Sequence, residues 1–231
     1  MARLHEFASH DALFEAAADR TAALLSEALA TRGEAALVLS GGRTPEPLHE
    51  LLSARALAWD RVTLVLADER WVTPDHADSN EAMVRRTLVR GAAAGARLLE
   101  TGAGAGDPET AAAALDARLA RLPHPYAAAW LGMGEDGHTA SLFPGAEGLA
   151  AALAPECPHR CVTLVPTGAP HRRLTLTLRE LLDSSALCLL LTGDGKRRVL
   201  EEALGEGPAE AMPIRAVLRQ ERVPVEIFWA P

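Results

Sequence analysis

Three short apolar runs constrain this chain most: Ala35–Leu39, Val62–Ala67 and Ala127–Leu131 each stop abruptly at a polar cluster. The clusters are Ser40–Thr44, Asp68–Arg70 and Gly132–His138. Near-continuous Val, Leu and Ala runs of this length suit strands covered on both faces. The intervening segments carry helical spacing. From about Asp11 to Arg32, Leu13, Ala17, Leu24 and Ala28 fall on one face, and Gly33 follows where a left-handed cap residue is expected. Strands alternating with helices predict an α/β fold: a single domain over 1–231 with a largely parallel, Rossmann-like sheet covered by helices on both faces.

The same reading places the remaining elements. Thr44 is expected to cap a helix with Pro45 at its first position, and Ser79 to cap one running to about Val89. Ala103–Asp107 reads as a glycine-rich loop before an Ala-rich helix at about Pro108–Leu122. Further strands are predicted at Val162–Val165, Leu174–Leu178, Leu187–Leu191 and Val225–Trp229. A turn at Thr192–Gly195 opens a helix over Lys196–Leu204. No repeat or low-complexity tail interrupts the pattern.

Composition narrows the function classes. With 231 residues, 48% of them apolar, the chain has ample material for a core. The formal net charge of −8 argues against nucleic acid or an anionic membrane as the main partner. No apolar stretch reaches the roughly 18 residues of a membrane span, and the start of the chain lacks the pattern of a secretory signal; a cytoplasmic protein is expected. Cys157, Cys161 and Cys188 make neither a zinc-site pattern nor a catalytic cysteine context and are read as reduced thiols.

In an open α/β sheet, ligands bind outside the carboxyl ends of the parallel strands. The three polar clusters are therefore expected to meet in space. Gly41 and Gly42, flanked by Ser40 and Thr44, put free amides and hydroxyls at a helix start, a geometry that suits a phosphate or serves as a tight structural turn. The spacing is neither a Walker loop nor a dinucleotide fingerprint. Gly193-Asp194-Gly195-Lys196 repeats the theme, with Lys196 as a second anion contact or a solvated side chain. Arg172 and Arg173 precede a predicted strand, and one of them is a further candidate. The segment GMGEDGHTASLFPG holds an acid and a histidine two residues apart, so Asp136 can set the tautomer of His138, the natural base near neutral pH. Ser141 sits in no nucleophile elbow, and His138 has no partner at helical metal-ligand spacing.

These stretches taken together resemble the 6-phosphogluconolactonases. SGGRTP, LADERWV followed by DSNEAMVRRTL, GMGEDGHTASLFPG, RLTLTL and TGDGK occur in the family's order, from about Leu37 to Leu204. Glucosamine-6-phosphate deaminases share the glycine loop and the histidine core. Thr139–Pro144 after the histidine, and Arg70 after the acidic pair, fit the lactonase pattern instead.

The resemblance implies a phosphorylated sugar lactone, 6-phospho-D-glucono-1,5-lactone, as the small-molecule substrate, with no metal or organic cofactor. It implies His138 as the base that activates water, assisted by Asp136. Gly41, Gly42, Thr44 and Lys196 would hold the phosphate, joined by Arg173, the arginine that alignment on Thr175 and Thr177 selects. Arg70 would stabilise substrate or oxyanion charge, and Asp68 would contact substrate or form an ion pair with Arg70. A monomer or small homo-oligomer is expected. The competing readings are a sugar-phosphate deaminase and a non-catalytic phosphosugar-binding domain.

Overall fold

The computed structural model describes residues 2–231. In chain order the elements are β1 (Arg3–Glu6), α1 (His10–Arg32), β2 (Ala35–Leu39), α2 (Glu46–Ser53), β3 (Val62–Leu66), β4 (Asp68–Arg70), α3 (Asn80–Thr87), β5 (Arg97–Leu98) and α4 (Pro108–Leu119). There follow β6 (Ala128–Leu131), α5 (Leu149–Leu153), β7 (Cys161–Leu164), β8 (Arg173–Leu176), α6 (Leu178–Leu181), β9 (Leu187–Thr192), α7 (Asp194–Leu204), α8 (Ile214–Arg219) and β10 (Val225–Ala230).

Seven strands form one sheet in the order β1-β10-β9-β6-β2-β3-β5. Every pairing in it is parallel. Successive residues of β2 go to opposite faces, as strand geometry requires. Ala36 and Val38 join one apolar core, while Ala35, Leu37 and Leu39 join the other. All five are fully buried, which explains why β2 reads as a continuous apolar run rather than an alternating one.

From β2 the chain builds outward to β3 and β5, whereas β6, β9 and β10 build in the opposite direction. The sheet therefore reverses its order between β2 and β6. Crevices open at such a switch point, outside the strands' carboxyl ends. The loops leaving β2 and β6 are Ser40–Thr44 and Gly132–His138.

Two local expectations hold: Gly33 ends α1 at φ 79° with its N–H on the Leu29 carbonyl, and Ser79 caps α3. The structure adds two side-chain caps the sequence reading did not place, Ser9 on α1 and Asp107 on α4.

Others are corrected. Val162–Val165 and Leu174–Leu178 do not join the parallel sheet. Their observed strands, β7 and β8, form a small antiparallel sheet with β4, in the order β4-β8-β7. Leu174–Leu178 also stops short, because the Thr177 side chain accepts from Glu180 N–H and starts α6. Asp68–Arg70 is a strand, paired with Arg173–Thr175. Thr44 caps nothing: Pro45 is the cap residue of α2 and makes no side-chain cap bond. The short edge strands β1 and β5 gave no periodicity to find. Among the described residues, no helix is long and apolar enough to cross a membrane.

Candidate active site

A cavity of about 310 Å³ opens at the switch point between β2 and β6. Ser40, Gly41, Gly42 and Thr44 line it from one side, and Gly132, Gly134 and His138 from the other. Asp68 and Arg70 reach it from β4, and Lys196 from the first turn of α7. Eight of the ten side chains and glycines expected at the site thus share one wall or another; the other two, Asp136 and Arg173, stand behind it.

Asp136 supports the site from outside the cavity. Its Oδ1 lies 2.6 Å from His138 Nδ1 and also accepts the His138 backbone N–H at 3.1 Å. A carboxylate can only accept, so Nδ1 carries a proton, and in the neutral ring Nε2 is the nitrogen with the lone pair. Partial burial opposes the Asp136 charge, but the His138 backbone N–H and imidazole outweigh it and hold the carboxyl below its usual range.

The loop is built around this pair. Gly134 N–H bonds the His138 carbonyl at 2.8 Å, and Thr139 Oγ1 donates to the Gly132 carbonyl at 2.9 Å. A Cβ on Gly134 would overlap the His138 ring and the Asp136 carboxylate. From outside, Ile214 N–H bonds the Gly137 carbonyl at 2.9 Å, and Met212 packs over Gly137.

Arg173 lies behind the cavity lining rather than in it. It is 6% exposed and does not reach the cavity wall. Its Nε and Nη1 are buried without a hydrogen-bond partner, and desolvation lowers its pKa. The guanidinium lies instead over the Phe143 ring, 5.9 Å from the centroid. Arg172 turns toward α4, with Nη1 2.6 Å from Glu109 Oε1.

The suggested Asp68–Arg70 ion pair does not form. Asp68 Oδ2 accepts from Ser141 Oγ at 2.6 Å, and Arg70 Nη1 donates to the Asp78 carbonyl at 2.5 Å. Lys196 has no carboxylate partner among the described residues, which leaves a cation at the cavity for an anionic ligand. No three imidazole, thiol or carboxylate groups among them converge to hold a metal ion.

Two supporting residues escaped the sequence reading. Glu69, 2% exposed, accepts the backbone N–H groups of Arg70, Asn80 and Glu81 at 2.7–2.8 Å and the Ser79 hydroxyl at 3.1 Å. Burial raises its pKa against the pull of those amides. Its signal was positional: in a strand, the residue between Asp68 and Arg70 faces away from both. Asn80 lines the cavity, donates to the Asp68 carbonyl at 2.9 Å, and sits so close to Gly41 that any Cβ there would overlap it.

Comparison with known proteins adds a second line. The sequence model of the family described as glucosamine-6-phosphate isomerases/6-phosphogluconolactonase matches residues 8–229. The chain is 44% identical over 230 residues to a 6-phosphogluconolactonase of Rhizobium meliloti (strain 1021), covering 100% of this chain and 99% of that one. It is 44% identical over 214 residues to one of Pseudomonas aeruginosa, covering 93% and 89% of the two chains. A crystal structure of a 6-phosphogluconolactonase from Shewanella baltica OS155 superposes with a TM-score of 0.96 at 39% identity, over 100% of this chain and 98% of that one.

Proposed function

From the premise that this chain belongs to the glucosamine-6-phosphate isomerase/6-phosphogluconolactonase family, we infer how its site works. The reaction is hydrolysis of 6-phospho-D-glucono-1,5-lactone to 6-phospho-D-gluconate, a step of the pentose phosphate pathway. The full-length relatives at 44% identity carry that activity in their names. His138 is the general base. The observation that carries this assignment is the Asp136–His138 contact of 2.6 Å, which leaves Nε2 as the available nitrogen on a residue lining the cavity.

The substrate phosphate rests against the amides of Gly41 and Gly42 and the Thr44 hydroxyl, with Lys196 neutralising its charge and Ser40 adding a hydroxyl. Binding this remote group sets the lactone carbonyl near His138. Nε2 takes a proton from water as the water oxygen bonds C1. Asp136 stabilises the imidazolium that results, and Arg70 meets the developing oxyanion. Collapse breaks the bond from C1 to the ring oxygen, which receives the proton from Nε2. The new carboxylic acid then ionises. Asp68, fixed by Ser141, accepts from a sugar hydroxyl. Arg173 acts on the phosphosugar through its buried positive field, without touching it.

The test is hydrolysis of freshly prepared lactone with the spontaneous rate subtracted. General-base assistance of this kind is worth about 10²–10⁴-fold, so His138→Ala should lose that much while still binding 6-phosphogluconate. A fully active variant removes His138 from the base role. A wild type no faster than buffer, yet releasing ammonia from glucosamine 6-phosphate, turns the reading to a deaminase.

A further inference from the structure

The two contacts from Asp136 leave the His138 imidazole one freedom, since both converge on the single atom Oδ1. The ring can still tilt about that point, carrying Nε2 with it. A flat apolar surface against the ring removes this motion, and the structure supplies one. The Phe143 ring lies with its centroid 4.1 Å from that of His138 and its plane inclined by 29°.

We propose that Phe143 is a positioning residue for the reaction: its ring sets the plane of the His138 imidazole and so the direction of Nε2. The proposal rests on His138 being the base.

The local chain geometry brings Phe143 there. Leu142 N–H bonds the Thr139 carbonyl at 3.0 Å, and Ala140 at the tip takes φ 47°, a left-handed conformation unusual for any residue but glycine. The turn folds Phe143 back under His138. Ser141 pins it from both sides, donating its N–H to Thr175 Oγ1 at 3.2 Å and its hydroxyl to Asp68 Oδ2 at 2.6 Å. Leu142 is fully buried and secures the turn in the core, so anchoring does not require a ring at the next position. Phe143 is itself 9% exposed, and the Arg173 guanidinium over it has few other partners: Nε and Nη1 are buried and unbonded. The cation–π contact at 5.9 Å adds to the burial that holds the phenyl ring in place.

A base displaced by about 1 Å can cost 10²-fold in rate even when substrate binding survives. Phe143→Leu keeps apolar bulk without the flat face, and Phe143→Tyr keeps the ring. The leucine variant should lose roughly 10- to 100-fold in kcat with KM changed less than about threefold, and the tyrosine variant should recover most of that loss. An independent readout is the proton spectrum of the His138 ring, assigned with His138→Gln. In the wild type its carbon-bound protons should be displaced upfield by the phenyl ring current, and the displacement should vanish in the leucine variant and return in the tyrosine variant. Phe143→Met serves the same purpose if the leucine variant fails to fold.

A folded ring-less variant with wild-type kcat overturns the proposal, as does a wild-type His138 with no ring-current displacement. His138→Ala, assayed alongside, separates the two assignments. If it stays active, the base assignment fails. If it is inactive while the ring-less variants work normally, only the role of Phe143 fails.

Discussion

Ser141 Oγ donates a 2.6 Å hydrogen bond to Asp68 Oδ2, across 73 positions of sequence. It joins the histidine loop after β6 to the short strand β4, so the two walls of the cavity are held in register by side chains as well as by the sheets. Ser141 is 1% exposed, and its backbone N–H is also engaged, with Thr175 Oγ1. The serine that sits in no nucleophile elbow is thus a brace for an acid on the opposite wall.

Ser141→Ala removes that brace without stranding a buried donor, because the hydroxyl leaves with its hydrogen bond. A bond to a charged acceptor is worth about 1.5–3 kcal/mol, and the half-buried Asp68 recovers part of it from water. The expected outcome is a loss of roughly 1–2 kcal/mol in denaturant unfolding and about tenfold in kcat/KM. Unchanged stability together with unchanged turnover would show that Asp68 needs no such support.

Gly134 offers a sharper separation of fold from chemistry. Its φ is not positive, so alanine is permitted by the backbone, yet the added Cβ would overlap His138 Nδ1 and Asp136 Oδ1. Gly134→Ala should therefore fold with a melting temperature near the wild type's while the Asp136–His138 contact is broken. Turnover should fall about 10²-fold, toward that of His138→Ala. A circular-dichroism melt and a lactone assay on the same sample decide it; a fully active alanine variant would mean the loop shifts at no cost.

The sequence made the parallel sheet and its crevice legible for a physical reason. Strands buried on both faces, such as β2 and β9, are forced into apolar runs, and the polar clusters after them mark the carboxyl ends. The small antiparallel sheet left no comparable trace. Its strands have three or four residues, and β4 is made of Asp68, Glu69 and Arg70, whose charges read as a loop. Thr175 and Thr177 mark Arg173 as a site candidate, but its contact with Phe143 is not legible in the sequence. Phe143 lies 30 positions earlier and is brought near by the turn at Ala140, whose left-handed backbone alanine does not advertise. Contacts made by folding one loop under another are not written in local periodicity.

His49 gives a pH dependence unrelated to catalysis. It is fully buried on α2; Thr87 Oγ1 lies 3.2 Å from its Nδ1 and spends its own proton on the Met83 carbonyl. Nδ1 therefore donates to the hydroxyl, and Nε2 is buried without a partner to share a second proton. Desolvation accordingly lowers the His49 pKa from 6.5 to about 4. A histidine with a depressed folded pKa is protonated first in the unfolded chain, so folding stability is fully present above about pH 6.5 and falls as the pH drops toward 4. The single group accounts for a loss of about 2 kcal/mol between pH 7.5 and pH 5, and about 3 kcal/mol by pH 4. His49→Asn keeps a donor near the position of Nδ1 but does not titrate. Urea unfolding of both proteins across this range should show the wild type losing stability more steeply by that amount, whatever the other acids contribute to each. Parallel curves would mean that His49 takes up its proton within the folded protein, with Nε2 reached by water.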